Sequence, residues 1–393
     1  MIAVEDALAR VLALVGPTGA ETVPLRDAAG RHLAAPLRAT RDQPPFDAAT
    51  MDGYAIPDAA AGPGARFRVI GEAAAGHPFD GAIGPGEAAR IFTGAALPPG
   101  AARVVMQEDV ARDGDGITLS ERVEPGPFIR PAGCDFTAGT AFAPAHPLRP
   151  GDIALIASMG HPTVPVRRRP EVALIATGDE LVQPGETPGP GQIVASNGFG
   201  LAAMIERAGG IARLLPVARD TEASLSMAFD LARGADLVVT IGGASVGDHD
   251  LVARVAETRG MERAFYKVAM RPGKPLMAGR VDGTPMIGLP GNPVSSMVCG
   301  VVFILPAIRV MLGGAPSSAA RRPLPLAAAL EQNGPREHYM RARITPEGVA
   351  AFDRQDSSLL SVLAQADALI VRPPHDRARD AGDMVEVVDL ASA

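Results

Sequence analysis

Val172-Ala173-Leu174-Ile175-Ala176-Thr177-Gly178-Asp179-Glu180 opens the most regular part of this 393-residue chain. Five apolar residues follow one another without alternation and stop at a Thr-Gly step and two acids. That is the pattern of a strand buried on both faces and ending in a loop. Downstream, a helix over 197–208 is closed by Gly209-Gly210. A second strand, 211–217, ends at Arg219-Asp220, and Thr221 can cap a helix that runs to 233. A third strand, 236–241, stops at Gly242-Gly243, with a helix over 250–258 beyond it. Extended segments follow at 265–270, 276–278 and 285–289, and Pro290-Gly291-Asn292-Pro293 leads into an apolar helix. Such strand–helix alternation specifies a mostly parallel sheet with helices on both faces, a three-layer α/β domain.

The flanks read differently. Residues 40–131 are rich in Gly and Pro and carry short β-like runs, among them Phe67-Arg68-Val69-Ile70, Ala88-Ala89-Arg90-Ile91-Phe92 and Val104-Val105-Met106-Gln107. A β-rich module is expected there. Alternation returns at Met340-Arg341-Ala342-Arg343-Ile344 and Met384-Val385-Glu386-Val387-Val388, so 317–393 is expected to form a C-terminal β-barrel-like domain. The expected division is a discontinuous linking α/β region (1–39 and 132–168), the β-rich module (40–131), the α/β domain (169–316) and the C-terminal domain.

Composition excludes several classes. The chain carries a net charge of −7, which argues against a nucleic-acid partner. Its Arg167-Arg168-Arg169 cluster beside Pro170 reads as a solvated linker. Cys134 and Cys299 stand alone, giving neither a disulfide framework nor metal-ligand spacing, in keeping with a cytoplasmic location. The start of the chain carries Glu5 and Asp6 where a signal peptide carries basic residues. It reads as an amphipathic helix with Leu8, Val11, Leu12 and Val15 on one face. The longest apolar run, 298–312, contains Pro306 and Arg309 and is short for a span, so a buried helix rather than a membrane helix is expected. The seven histidines have no zinc-like spacing and read as surface or capping residues.

Ligands of open α/β sheets bind beyond the carboxyl ends of the strands. Here those ends carry Thr177, Gly178 and Glu180, then Asp220, then Gly242, Gly243, Ser245, Gly247, Asp248 and Asp250, and finally Pro290, Gly291, Asn292 and Ser295. Glycines let backbone amides approach a phosphate, and helix N-termini favour anions. Glu180, Asp220, Asp248 and Asp250 are hard oxygen donors suited to Mg²⁺, which needs only one or two protein carboxylates beside phosphate and water. Lys274 adds a positive charge for an oxyanion. Each feature has an ordinary explanation as a strand stop, cap or turn, and so do Asp52-Gly53 and Thr93-Gly94 in the β-rich module. Together the sheet-edge residues indicate an anion or nucleotide site with a divalent metal, and residue chemistry alone goes no further.

In combination and in order, Met51-Asp52-Gly53-Tyr54-Ala55, Phe92-Thr93-Gly94-Ala95, Thr177-Gly178-Asp179-Glu180, Gly242-Gly243-Ala244-Ser245-Val246-Gly247-Asp248 and Arg271-Pro272-Gly273-Lys274-Pro275 carry a resemblance to a known family. From about residue 4 to 390 the chain resembles the molybdopterin molybdenumtransferases, which are MoeA-like and include the E domain of gephyrin. The resemblance implies a molybdopterin-binding type of α/β domain. It also implies Mg²⁺-dependent insertion of molybdenum from molybdate into adenylylated molybdopterin, with release of AMP. The implied enzyme is a homodimer with a composite active site, in which Asp52, Thr93 and Asp135 of one chain face Glu180, Asp220, Asp248, Asp250, Lys274 and Ser295 of the other. Arg341 and Ser357 match functional positions less closely. Molybdopterin adenylyltransferase and molybdoenzymes are the implied transient partners.

Three departures stand out. Cys134 occupies a position where the family has Glu, Arg271 one where Lys is frequent, and Ala102 one where Asp is frequent. Two other functions remain open at this stage: adenylylation of molybdopterin, and a non-catalytic scaffold of the same fold.

Overall fold

The computed structural model describes residues 1–243 and 251–391. Its central sheet has six strands in the order Ile211–Leu214, Glu171–Ala176, Leu237–Ile241, Thr284–Leu289, Met277–Val281 and Glu262–Tyr266. The first four run parallel, and the last two form an antiparallel edge. Strand Glu171–Ala176 is buried on both faces, as its unbroken apolar run requires. Val172 and Leu174 enter one core with the helices Val4–Leu14, Asn197–Arg207 and Pro293–Met311. Ala173 and Ile175 enter a second core with Glu222–Leu231 and Leu251–Thr258. The opening helix, placed by its sequence beside the linking region, thus packs on the central domain.

Helix Pro293–Met311 is long and apolar enough to cross a membrane, yet 89% of its apolar window is buried inside the protein. It is the core helix expected from the run at 298–312. Its hydrogen bonding widens to a π turn over Gly300–Ile304, just before Pro306, which has no amide to contribute.

The N-terminal β module is a six-stranded sheet ordered Arg103–Met106, Gly53–Ile56, Glu87–Ile91, Arg66–Ala73, Gly116–Leu119 and Val110–Asp113. Alternate residues supply separate cores on its two faces, Ala55, Ala89 and Val104 on one and Tyr54, Ala88 and Val105 on the other. Antiparallel pairs join the chain entering and leaving the module: Ala48–Ala49 with Ile129–Arg130, Leu37–Arg38 with Ala141–Phe142, and Ala20–Pro24 with Thr163–Arg167. In the C-terminal region, Arg321–Pro325, Met384–Asp389, Ala368–Arg372, Glu337–Thr345 and Gly348–Ala351 pair in turn. A bridge from Leu326 to Val349 closes them into a small barrel.

Two expectations need correction. The arginine cluster is not a solvated linker: Arg167 donates to Thr18 O, Arg168 makes a two-pronged pair with Asp236, and Arg169 donates to the carbonyls of Gly209 and Gly210 at a helix end. Carbonyls at a helix C-terminus attract a guanidinium, and the Arg168–Asp236 pair ties the linking region to the central domain. Among the histidines, His32 and His338 are buried rather than superficial. Burial lowers the pKa of both, that of His338 to about 4, with neighbouring arginines adding to the effect there.

Candidate active site

The carboxyl ends of three adjacent parallel strands open on one rim, where their loops continue the ladder for one more step. The Thr177 amide donates to Ile241 O, Gly178 to Ala218 O, and Gly242 to Leu289 O. Gly242 and Gly243 have φ of 94° and 67°, the left-handed region that favours glycine. A Cβ on Gly242 would lie 2.6 Å from Thr177 O, and one on Gly243 would run into Val252. The loop after Thr284–Leu289 lies alongside, and a Cβ on Gly291 would sit in ordinary contact, 3.5 Å from Gly242 Cα. Glycines at 242 and 243 therefore let these loops pack closely beside a cleft of about 690 Å³.

Thr177, Gly178, Glu180, Asp220, Gly242, Gly243, Pro290, Gly291 and Asn292 all line this cleft, as anticipated. Helices Asn197–Arg207 and Pro293–Met311 begin at its wall, so two positive helix ends accompany the glycine loops. Glu180 and Asp220 are exposed. The Thr177 hydroxyl donates to Asp220 Oδ1 at 3.0 Å, and the Asp220 amide donates to Asp179 Oδ1 at 3.1 Å. Lys274 is exposed beside the lining residue Pro275. Ser295 is placed differently from expectation: it is buried in the first turn of its helix and does not line the cleft. Ser245, Gly247, Asp248 and Asp250 lie outside the described residues. Among the described residues no group of three His, Cys, Asp or Glu side chains forms a metal-binding cluster.

Sequence reasoning missed Asn197 and Ser358, which also line the cleft. Asn197 Nδ2 donates to Gly291 O at 2.8 Å and so joins a helix start to a loop far along the chain. Ser358 arrives from the C-terminal region, where the carbonyl of its neighbour Ser357 accepts the Val294 amide. Arg341 is buried and donates to Asp356 O and Leu359 O, holding that segment in shape.

The second group stands on the N-terminal module. Both the Thr93 amide and the Thr93 hydroxyl donate to Asp52 Oδ1, each at 2.8 Å. Gly53 makes this corner possible, because a Cβ there would strike the carbonyl of Val105 on the adjoining strand. The amide bond from Thr93 and then its hydroxyl hold the Asp52 pKa below the usual carboxylate value against an opposing cost of desolvation, with the charge of Arg90 a lesser help. Asp135 is exposed in a separate turn, its amide bonded to Gln43 O. Asp52, Thr93 and Asp135 do not line the cleft of their own chain.

Comparison with known proteins agrees over the whole length. The model of the MoeA N-terminal region (domain I and II) matches residues 2–160, that of a probable molybdopterin binding domain matches 173–310, and that of the MoeA C-terminal region (domain IV) matches 323–390. A molybdopterin molybdenumtransferase of Nostoc sp. is 36% identical over 389 residues, covering 94% of this chain and 88% of its own. The enzyme of that name from Bacillus subtilis is 31% identical, with 98% and 94% covered. The crystal structure of the molybdopterin biosynthesis MoeA protein from Pyrococcus horikoshii superposes with a TM-score of 0.87 at 31% identity, covering 99% of both chains. By sequence across nearly its full length and by fold, this chain belongs to the molybdopterin molybdenumtransferase family.

Proposed function

We propose that the chain inserts molybdenum, supplied as molybdate, into adenylylated molybdopterin and releases AMP. The observation that carries this reading is the glycine-walled cleft at the strand ends, where two helix N-termini converge with the carboxylates of Glu180 and Asp220. The substrate is a nucleotide joined through a diphosphate. Gly178, Gly242, Gly243 and Gly291 leave the backbone accessible to it, and the positive helix ends favour its charge. Thr177, Asn292 and Ser245, Gly247 of the undescribed stretch are assigned to the same cradle, with Pro290 shaping its wall and Ser295 supporting the helix start.

The donor set suits Mg²⁺: Glu180 and Asp220 offer exposed oxygens, and Asp248 and Asp250 are assigned beside them. When bound, Mg²⁺ would neutralise and polarise the diphosphate. Lys274 supplies positive charge for molybdate or the departing phosphate. Asp52, ionised and pinned by Thr93, is a fixed acceptor able to orient a protonated oxygen for attack, with Asp135 assigned to the same half. Because this group does not line the cleft of its own chain, we place it opposite the cleft of a second copy, in a homodimer with two composite sites. The enzyme would act in the cytoplasm, taking its substrate from a molybdopterin adenylyltransferase and passing its product to molybdoenzymes.

Purified protein given adenylylated molybdopterin, molybdate and Mg²⁺ should release AMP and yield cofactor that activates an apo-molybdoenzyme. AMP that stays attached to the pterin whether or not molybdate is present would sink this reading.

A further inference from the structure

We propose that Arg90 is a positioning residue for molybdenum insertion, holding the Gly53 carbonyl of the Asp52–Gly53 corner directly and tying down Gln107, whose backbone holds the Asp52 carbonyl. The inference rests on the assignment of Asp52 to the insertion site. Arg90 lies directly opposite Tyr54 in the antiparallel pairing of Gly53–Ile56 with Glu87–Ile91. Its guanidinium stands 5.0 Å from the Tyr54 ring centre and 4.9 Å from that of Phe92. Two aromatic faces therefore fix the plane of the fork. From that plane Nη1 donates to Gly53 O at 3.3 Å and Nη2 to Gln107 Oε1 at 2.5 Å. The Gln107 backbone amide in turn donates to Asp52 O at 3.1 Å.

The carbonyls of Asp52 and Gly53 are thus held by two residues that are also bonded to each other. Thr93 holds the carboxylate itself, so the clamp and Thr93 together leave the Asp52 side chain a single setting. Among the described residues Arg90 forms no ion pair, and its charge favours the ionised form of Asp52. A lysine would keep that charge, but it has neither the flat group that two rings can grip nor a fork that reaches two acceptors.

The test measures insertion kinetics of the dimeric protein with Arg90→Met and Arg90→Lys, varying pH and both substrates. Arg90→Met should lower kcat about tenfold or more, since small misplacements of a catalytic group are expensive. It should leave the KM for molybdate and for adenylylated molybdopterin within about twofold and move the acid limb of the rate profile upward. Arg90→Lys should restore the acid limb but not kcat. Gln107→Leu removes the side-chain acceptor of Arg90 while keeping the backbone bond to Asp52 O and the aromatic packing; it should lower kcat in the same direction, and it carries the test should Arg90→Met fail to fold. Wild-type kcat and acid limb in Arg90→Met would overturn the proposal, as would a raised KM at unchanged kcat, which would make Arg90 a substrate ligand. Asp52→Asn is run in parallel. If that variant inserts molybdenum at the wild-type rate, the site assignment itself fails, whereas an inactive Asp52→Asn beside a normal Arg90→Met removes only the role of Arg90.

Discussion

The two halves of the proposed site are built on opposite principles. On the N-terminal module one carboxylate is immobilised: Asp52 is held by both donors of Thr93, and its carbonyl accepts the Gln107 backbone amide. At the edge of the central sheet the design keeps space. Glycines at 178, 242, 243 and 291 remove side chains, and the carboxylates of Glu180 and Asp220 stand exposed. A fixed charge costs nothing to reorganise during a reaction, so it belongs where a reacting atom is oriented. An open, backbone-lined cleft belongs where a large anionic ligand must enter. On the proposed function neither half would suffice alone.

Separating the halves should have the largest effect. Asp52→Ala and Asp248→Ala are each expected to lower insertion by about 100-fold or more, with the dimer and its helix content intact by sedimentation and circular dichroism. If the halves meet across two chains, co-refolding inactive Asp52→Ala with inactive Asp220→Ala should restore about a quarter of wild-type activity. Half the dimers would be mixed, each with one intact site. A mixture as inactive as its parts would place both halves in one chain.

The cleft is next. Gly242→Ala forces a side chain into a left-handed backbone and towards Thr177 O. It should destabilise the fold by about 1–3 kcal/mol, read as a lower urea midpoint at unchanged slope, and weaken AMP binding. Wild-type stability together with wild-type AMP affinity would mean that the glycine wall is not needed.

Much of the central sheet was legible because burial on both faces leaves an unbroken apolar run, and Glu171–Ala176 shows one. The strand ends could be read because glycine and acids crowd there. Other features were hidden for physical reasons. An asparagine before a helix is already explained by local capping, so nothing in the neighbourhood of Asn197 hints that its amide reaches Gly291. Arg167, Arg168 and Arg169 look like solvated charge because their partners at Thr18, Gly209, Gly210 and Asp236 are distant in sequence. Ser358 enters the cleft only because the C-terminal barrel docks there, a tertiary event with no periodic signature. The pairing of Asp52 with Thr93 likewise depends on the meeting of a strand corner and a turn forty residues apart, which neither segment announces.

Thr93 tests the fixed half more gently. Thr93→Val removes the hydroxyl but keeps the backbone donor, so Asp52 loses one of two bonds. Its carboxyl is held low in the native protein, so the ionised form should persist to a pH below the ordinary carboxylate range. Taking away a stabilising donor raises that pKa, and the acid limb of the rate profile should move up with it. The rate at neutral pH should fall about tenfold. An unshifted limb would show that the ionisation of Asp52 does not govern the reaction.

The smallest effect is expected at the departure from the family pattern. Cys134 is exposed and adjoins Asp135, in a turn whose backbone is held by the Cys134 amide to Pro131 O and the Asp135 amide to Gln43 O. Neither bond uses the thiol. Serine is nearly isosteric, so Cys134→Ser should insert molybdenum within about twofold of wild type and leave stability within about 0.5 kcal/mol. Cys134→Glu sharpens the comparison. If the fixed half needs a second carboxylate beside Asp135, that variant should outpace the wild type, and if Asp135 alone suffices, the two rates should coincide. Loss of activity in Cys134→Ser would mean instead that the thiol itself takes part, which would make the fixed half a site for sulfur chemistry as well as for charge.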